Sequence, residues 1–495
     1  MPRFLPLALL ILALLLPACA PGSVARGDAA VGSGDATPAS ERAPRVLPSP
    51  PPIVADLEAL FPEVRVDGLE DRTFSPEAWW DRVLPLLEGS GPVGARGING
   101  ADGAAAGWRL EEIGRSAEGR PLRLLSFGTG PTGVLLWSQM HGDESTASMT
   151  LADLVNLFAS RPDDPWVRRM GEALTIHLFP VMNPDGAARF QRRNAQGVDL
   201  NRDARALATP EGQALKALQE RLRPVYGFNL HDQAVGTRVG RTDRGTAIAL
   251  LAPPFNVERE VNDVRKRAME MAALIRVALE PRVGGYMARW DDTFNPRAFG
   301  DLMQAWGVST VLIESGGWEG DPQKQFLREL NFVALGTAFD AMARDADGEA
   351  DRSGARDADR GADWGADRGG ARGTDWGGAQ GIDIAFYQEL PQNGRRFGDL
   401  LVRGATLHAP GMAPLRGDLL VNFDHPLAEL GGRIADVGDL AESEVRHTVE
   451  AAGLHLFVED LTVGAPARFR LARDAEGREV IWQVRDDAEG SRPRP

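Results

Sequence analysis

At 495 residues the chain is longer than one ordinary domain, and 43% hydrophobic with 25% charged residues gives it enough apolar material to bury a core. Its formal net charge of −15, from 70 acidic and 55 basic side chains, excludes a general nucleic-acid binder, which needs a basic surface. The single cysteine, Cys19, excludes an internal disulfide framework and a thiolate metal cluster, so any metal must be held by His, Asp or Glu. Lys216, Lys266 and Lys324 are the only lysines in an otherwise arginine-based set of cations, which we read as compositional bias.

Residues 1–18 carry Arg3 and then an almost wholly apolar run from Leu5 to Leu16. That run is short for a membrane span, which needs about 20 residues, and suits a secretory signal. Leu16-Pro17-Ala18-Cys19 resembles a bacterial lipobox. The resemblance implies lipidation at Cys19 and an exported protein anchored to the bacterial outer membrane, facing the periplasm or the cell surface. A plain signal peptide cut near Ala20 is the alternative. Residues 19–53, rich in Pro, Gly, Ser and Ala, read as a flexible tether.

The body, 54–345, alternates strand and helix signals. Short apolar runs at Leu122–Phe127, Val134–Trp137, Leu174–Phe179, Val225–Leu230, Ala247–Leu251 and Ser309–Ile313 predict buried strands. Helices are predicted at Ser145–Phe158, from Thr209-Pro210-Glu211 with Thr209 as cap, and over Val257–Leu279 and Pro322–Met342. This alternation predicts an α/β fold around a mixed, mostly parallel central sheet flanked by helices. Residues 346–381, with recurring Asp-Arg and Asp-Trp units, read as a low-complexity linker. Residues 382–495 read as a small β-rich accessory domain.

Three histidines fall in the body. His177 sits inside a strand pattern and reads as structural. His141 opens His-Gly-Asp-Glu just before a helix, so His141 and Glu144 share one face and can ligate one ion. His231 follows a predicted strand. Two His and one Glu with a position left for water make a catalytic zinc set. Taken alone, His-x-x-Glu can equally be a capped helix with a surface histidine.

The ordered motifs extend this. Ile113–Arg120, His141-Gly142-Asp143-Glu144, Asn183-Pro184-Asp185-Gly186, Arg192-Arg193-Asn194 with Gly197–Arg202, Asn229-Leu230-His231 and Ile313-Glu314-Ser315-Gly316-Gly317 occur in sequence. Together they resemble the zinc carboxypeptidases of peptidase family M14, with His-Gly-Asp-Glu closer to the bacterial branch. The resemblance implies one Zn2+ held by His141, Glu144 and His231, with Glu314 as general base. It implies Arg192 at the oxyanion, with Arg193 as a possible substitute, and Asn201 and Arg202 on the terminal carboxylate of a peptide substrate. The family's substrate-covering tyrosine is unassigned: Tyr226 lies in a strand and Tyr286 stands far from Glu314. Asp291 and Asp292 could meet a basic substrate group. The expected activity is removal of a C-terminal residue from peptides. Peptidoglycan-peptide hydrolysis, deacylation of acyl-amino acids and non-catalytic peptide binding stay open beside it.

Overall fold

The computed structural model describes residues 45–88, 107–358, 378–423, 432–440 and 443–483. The expected signal segment, Cys19, most of the tether and the middle of the low-complexity stretch lie outside them. Among the described residues no helix is long and apolar enough to cross a membrane.

An eight-stranded sheet organises the body. Its strands are β1 (Trp108–Arg115), β2 (Pro121–Phe127), β3 (Thr132–Ser138), β4 (Leu174–Phe179), β5 (Tyr226–Asp232), β7 (Ile248–Leu251), β8 (Met287–Arg289) and β9 (Ser309–Ser315), in the order β1-β2-β4-β3-β5-β9-β7-β8. The central strands β4, β3, β5 and β9 run parallel, while β1, β2 and β7 meet their inner neighbours antiparallel. The parallel strands read as continuous apolar runs because helices cover both faces. In β3, Val134 and Leu136 enter the larger core while Leu135 and Trp137 enter a second core on the other face. That is the period-two alternation of a strand buried on both sides.

The helix Thr146–Ser160 packs into the larger core, and the helices Asp263–Val283 and Gln325–Ala358 pack with it. The helix Pro210–Leu222 belongs to the second core. As the sequence predicts, Thr209 caps this helix, its hydroxyl accepting from the Gly212 N–H with Pro210 at the first helical position. Two amphipathic helices, Ile53–Val64 and Pro76–Glu88, and strand β1 add to the predicted elements.

The body does not stop at 345. Its last long helix continues to Ala358, and Ala379, Tyr387 and Leu390 sit in the main core. The buried Tyr387 hydroxyl accepts from the Ala252 N–H at 3.1 Å. Strand β10 (Asn393–Arg396) then pairs antiparallel with β6 (Thr237–Val239) of the body. The boundary expected at 381/382 therefore falls inside a packed segment. The biased composition gives way within this segment to an apolar run, and Ile382, Ile384 and Phe386 pack against the same core. The tail sheet begins at Gly398 and comprises β11 (Gly398–His408), β12 (Leu415–Phe423), β13 (Gly432–Gly438), β14 (Val445–Glu450), β15 (His455–Val458), β16 (Phe469–Ala472) and β17 (Val480–Gln483), in the order β13-β12-β11-β15-β16-β17 with β14 paired to β11, around its own apolar core.

Candidate metal centre and substrate cleft

The site forms where parallel strands end, as expected for an open α/β sheet. His231 and Glu314 are partners in the ladder between β5 and β9, so they stand side by side at the carboxyl ends of neighbouring strands. His141 and Glu144 lie in the loop between β3 and the helix Thr146–Ser160. Glu144 Oε1 lies 2.7 Å from His141 Nδ1, and Glu144 Oε2 lies 2.7 Å from His231 Nδ1. One ligand atom from each of the three residues lies within 4.8 Å of the others, and all three residues are buried.

Several motif residues act as scaffold. Asp185, fully buried, accepts from the Ser116 hydroxyl, the Glu118 N–H and Arg120, which ties the β1–β2 turn to the Asn-Pro-Asp-Gly turn. Asn183 accepts from the Gly186 N–H and donates to the carbonyls of Met140 and Arg192, bracing the two loops that present His141 and Arg192. Gly142 is required by this contact, since a Cβ there would meet the Gly186 carbonyl carbon at 2.1 Å.

Asp199 is a functional contact that the sequence did not single out. Its Oδ1 lies 3.0 Å from His141 Nε2 and its Oδ2 accepts from Arg192 Nε and Nη2. A carboxylate on one ring nitrogen fixes the tautomer and leaves the other nitrogen for a metal. Arg192 also donates to Glu144 at 3.0 Å. Arg193 donates to the Gly197 carbonyl and is not among the residues lining the cleft, whereas Arg192 is.

A cleft of about 900 Å³ opens over the cluster, lined by His141, Glu144, Arg192, Asn201, Arg202 and Glu314 among others. Asn201 and Arg202 sit on a short turn capped by Asp199. The Asn201 side-chain oxygen accepts from the Phe299 N–H, which docks the turn on the helix Phe299–Ala305. None of the three tyrosines lines the cleft: Tyr226 is buried in β5, Tyr286 packs edge-on against Trp318, and Tyr387 is in the core. Aromatic lining comes instead from Phe190, Trp290, Phe294, Trp318 and Phe423. Of the two loop carboxylates, Asp291 lines the cleft, whereas Asp292 is paired with Arg259 and Arg265.

Behind the His141–Glu144–His231 cluster lies a second layer of charge. Asp232, next to His231, accepts from Arg72 at 3.1 Å and from Thr146 at 2.8 Å, and lies 3.2 Å from Lys324 Nζ. Lys324 also donates to the carbonyl of Ser315, the neighbour of Glu314. Both cations are almost fully buried and both border the cleft.

The charges shift in consistent directions. Burial works against a charged His141, yet Glu144 and Asp199 raise it to about 9. Burial would raise Glu144, but the two imidazoles hold it well below the usual carboxylate range. Glu314 is pushed well above its ordinary value by burial and then by the charge of Glu144. Burial lowers Lys324 to about 8 against the pull of Asp232. His177 behaves as the structural residue expected from its strand position: buried in β4, it is lowered to about 4 by burial, with Nδ1 2.8 Å from the Ser126 hydroxyl.

The donor set fits a zinc ion. Two imidazole nitrogens and one carboxylate converge in a buried pocket that opens to a cleft, with Asp199 behind one imidazole.

Residues 106–229 match the zinc carboxypeptidase family (Peptidase_M14). Among curated proteins, Carboxypeptidase SOL1 of Arabidopsis thaliana is 33% identical over 102 residues, 19% of this chain and 21% of that protein. Carboxypeptidase E of Caenorhabditis elegans is 35% identical over 115 residues, 19% of this chain and 24% of that protein. The match thus spans about a fifth to a quarter of these relatives. Among solved structures, a metallo-carboxypeptidase from Burkholderia cenocepacia is 20% identical with a TM-score of 0.40, covering 53% of this chain and 68% of that one. The matched segment holds His141, Glu144, the Asp185 and Asn183 braces, Arg192, Asp199, Asn201 and Arg202, and ends two residues before His231. In this segment the chain is similar to the zinc carboxypeptidase family.

Proposed function

We propose that the chain is a metallocarboxypeptidase that hydrolyses the C-terminal peptide bond of peptides, using one Zn2+ held by His141, Glu144 and His231. The observation that carries this is the register of β5 and β9, which sets Glu314 beside His231 at the floor of the cleft. The ion would supply Lewis acidity and lower the pKa of water to about 7.

This chain's residues supply the rest. Arg202, with Asn201, binds the substrate's terminal carboxylate, for which the planar guanidinium fork is suited. Glu314 accepts the proton of the attacking water and passes it to the leaving amine; its raised affinity for a proton matches that double duty. Arg192 donates to the oxygen that gains charge in the transition state. Asp199 keeps His141 oriented throughout. On the sequence reading of residues 1–19, we place this activity outside the cytoplasm, tethered through a lipid on Cys19.

The test is hydrolysis of a peptide library by the zinc-loaded chain, with free and amidated C-termini compared. Glu314→Gln is expected to lower turnover by roughly 10²- to 10⁴-fold, the usual weight of a general base, while retaining stoichiometric zinc. Full turnover in that variant, or amidated peptides cleaved as fast as free ones, would overturn the proposal.

A further inference from the structure

The tail stands beside the cleft. Asp399 on β11 (Gly398–His408), Phe423 on β12 (Leu415–Phe423), and Arg446 and His447 on β14 (Val445–Glu450) line the same cavity as Glu314 and Arg192. The junction holding them is built from ordered contacts. Gln233, two residues beyond His231, accepts from the Asn393 side chain at 2.7 Å. The Phe397 N–H donates to the Gly236 carbonyl, and the Gly398 N–H to the Glu444 carbonyl. The Arg238 guanidinium lies 4.0 Å from the Phe397 ring centre and pairs with Glu444. The tail wall is therefore fixed to the loop that continues directly from the metal-ligand strand β5.

The cleft then has two distinct borders. Asn201 and Arg202 are docked on the segment Arg297–Phe299. The tail residues are docked on the loop Gln233–Gly236. A peptide held at its terminal carboxylate by the first border has its upstream residues free to reach the second.

The chemistry there is specific. Arg446 is exposed and makes no ion pair or hydrogen bond among the described residues. It stands beside exposed His447 on the same strand, with Phe423 supplying apolar surface. Of the other cations of the cleft, Arg72 and Lys324 are engaged on Asp232 and Arg192 on Asp199 and Glu144, while Arg202, at the opposite border, donates to the Asn201 carbonyl.

We propose that the tail is part of the substrate-binding cleft, and that Arg446 selects peptides carrying an acidic side chain upstream of the scissile bond. This rests on the peptidase reading of the site. An unpaired cation at a cleft border adds selectivity more than affinity, so the expected effect is modest.

The test uses the full-length zinc-loaded chain and three probes: an N-acylated dipeptide, a decapeptide with upstream glutamates, and the same decapeptide with lysines instead. Wild type is expected to favour the glutamate decapeptide over the lysine one by about fivefold in kcat/KM. Arg446→Glu is expected to reverse that order, which misfolding cannot mimic. Arg446→Ala is expected to erase it, with the loss on the glutamate decapeptide exceeding any change on the dipeptide. Equal preference in wild type, or a preference that survives Arg446→Glu, would overturn the inference. Binding of the labelled decapeptides to Glu314→Gln reads the same preference without turnover. Acid-selective binding with no hydrolysis by wild type would therefore refute the peptidase reading while sustaining the role of Arg446.

Discussion

Asp301 sits on the helix Phe299–Ala305, 7% exposed, at the edge of the cleft, with Oδ1 accepting from the Asn295 N–H at 2.8 Å. Burial raises its pKa from an ordinary 3.8 to about 7, against that hydrogen bond and the more distant charges of Arg202 and Arg265. The folded state therefore holds a proton that the unfolded chain gives up near pH 4. Stability contributed by the neutral carboxyl is complete below pH 4 and is lost as pH rises to about 7. A shift of about three units is worth roughly 4 kcal/mol at most at 1.36 kcal/mol each. Between pH 5 and pH 8 it amounts to about 2 to 3 kcal/mol. Asp301→Asn keeps an acceptor for Asn295 and does not titrate. Urea unfolding of both zinc-loaded proteins at pH 5 and pH 8 should show the variant gaining on wild type by about 2 kcal/mol at the higher pH. A gap that is equal at the two pH values, or that shrinks at pH 8, would show that Asp301 is not a buried neutral acid.

Arg328 and Asp153 form a wholly buried pair, with Nε to Oδ2 at 2.7 Å and further bonds to the carbonyls of Val66 and Leu69. Arg328→Ala should cost about 3 to 5 kcal/mol in urea unfolding, because it strands a buried carboxylate. Arg328→Met with Asp153→Leu should cost less than that single change, and an equal or larger loss would contradict the account. Removing the metal with a chelator should lower the midpoint of thermal unfolding, and adding zinc should restore it; an unchanged midpoint would argue against a bound ion. Cys19→Ser should move the protein from the membrane fraction to the soluble exported fraction, and unaltered membrane recovery would remove the lipid anchor.

The legible part of this protein is the part written in local order. His141 and Glu144 are three residues apart, and His231 and Glu314 each close a run of apolar residues, so strand ends could be read as site positions. The layer behind them was not legible, because its partners meet only through the tertiary fold. Arg72 lies 160 residues from Asp232 in sequence, and Lys324 reaches back to Ser315 across a turn that no periodicity marks. Asp199 stood inside a quoted motif, yet its role needs the orientation of the His141 ring, which sequence does not carry. The tail's approach to the cleft depends on a pairing between β6 and β10 of a few residues, too short for any alternation to announce.

That pairing decides where the protein can be taken apart. The β6–β10 ladder joins strands from either side of 359–377 in the sequence, and it precedes the tail sheet, which begins at Gly398. A truncation at 382 would remove Tyr387 and Leu390 from the body's core and expose the edge of β6. The piece that keeps the body's core and β6 edge whole therefore ends after Arg396. Any chimera exchanging the tail must leave that last strand behind with the body.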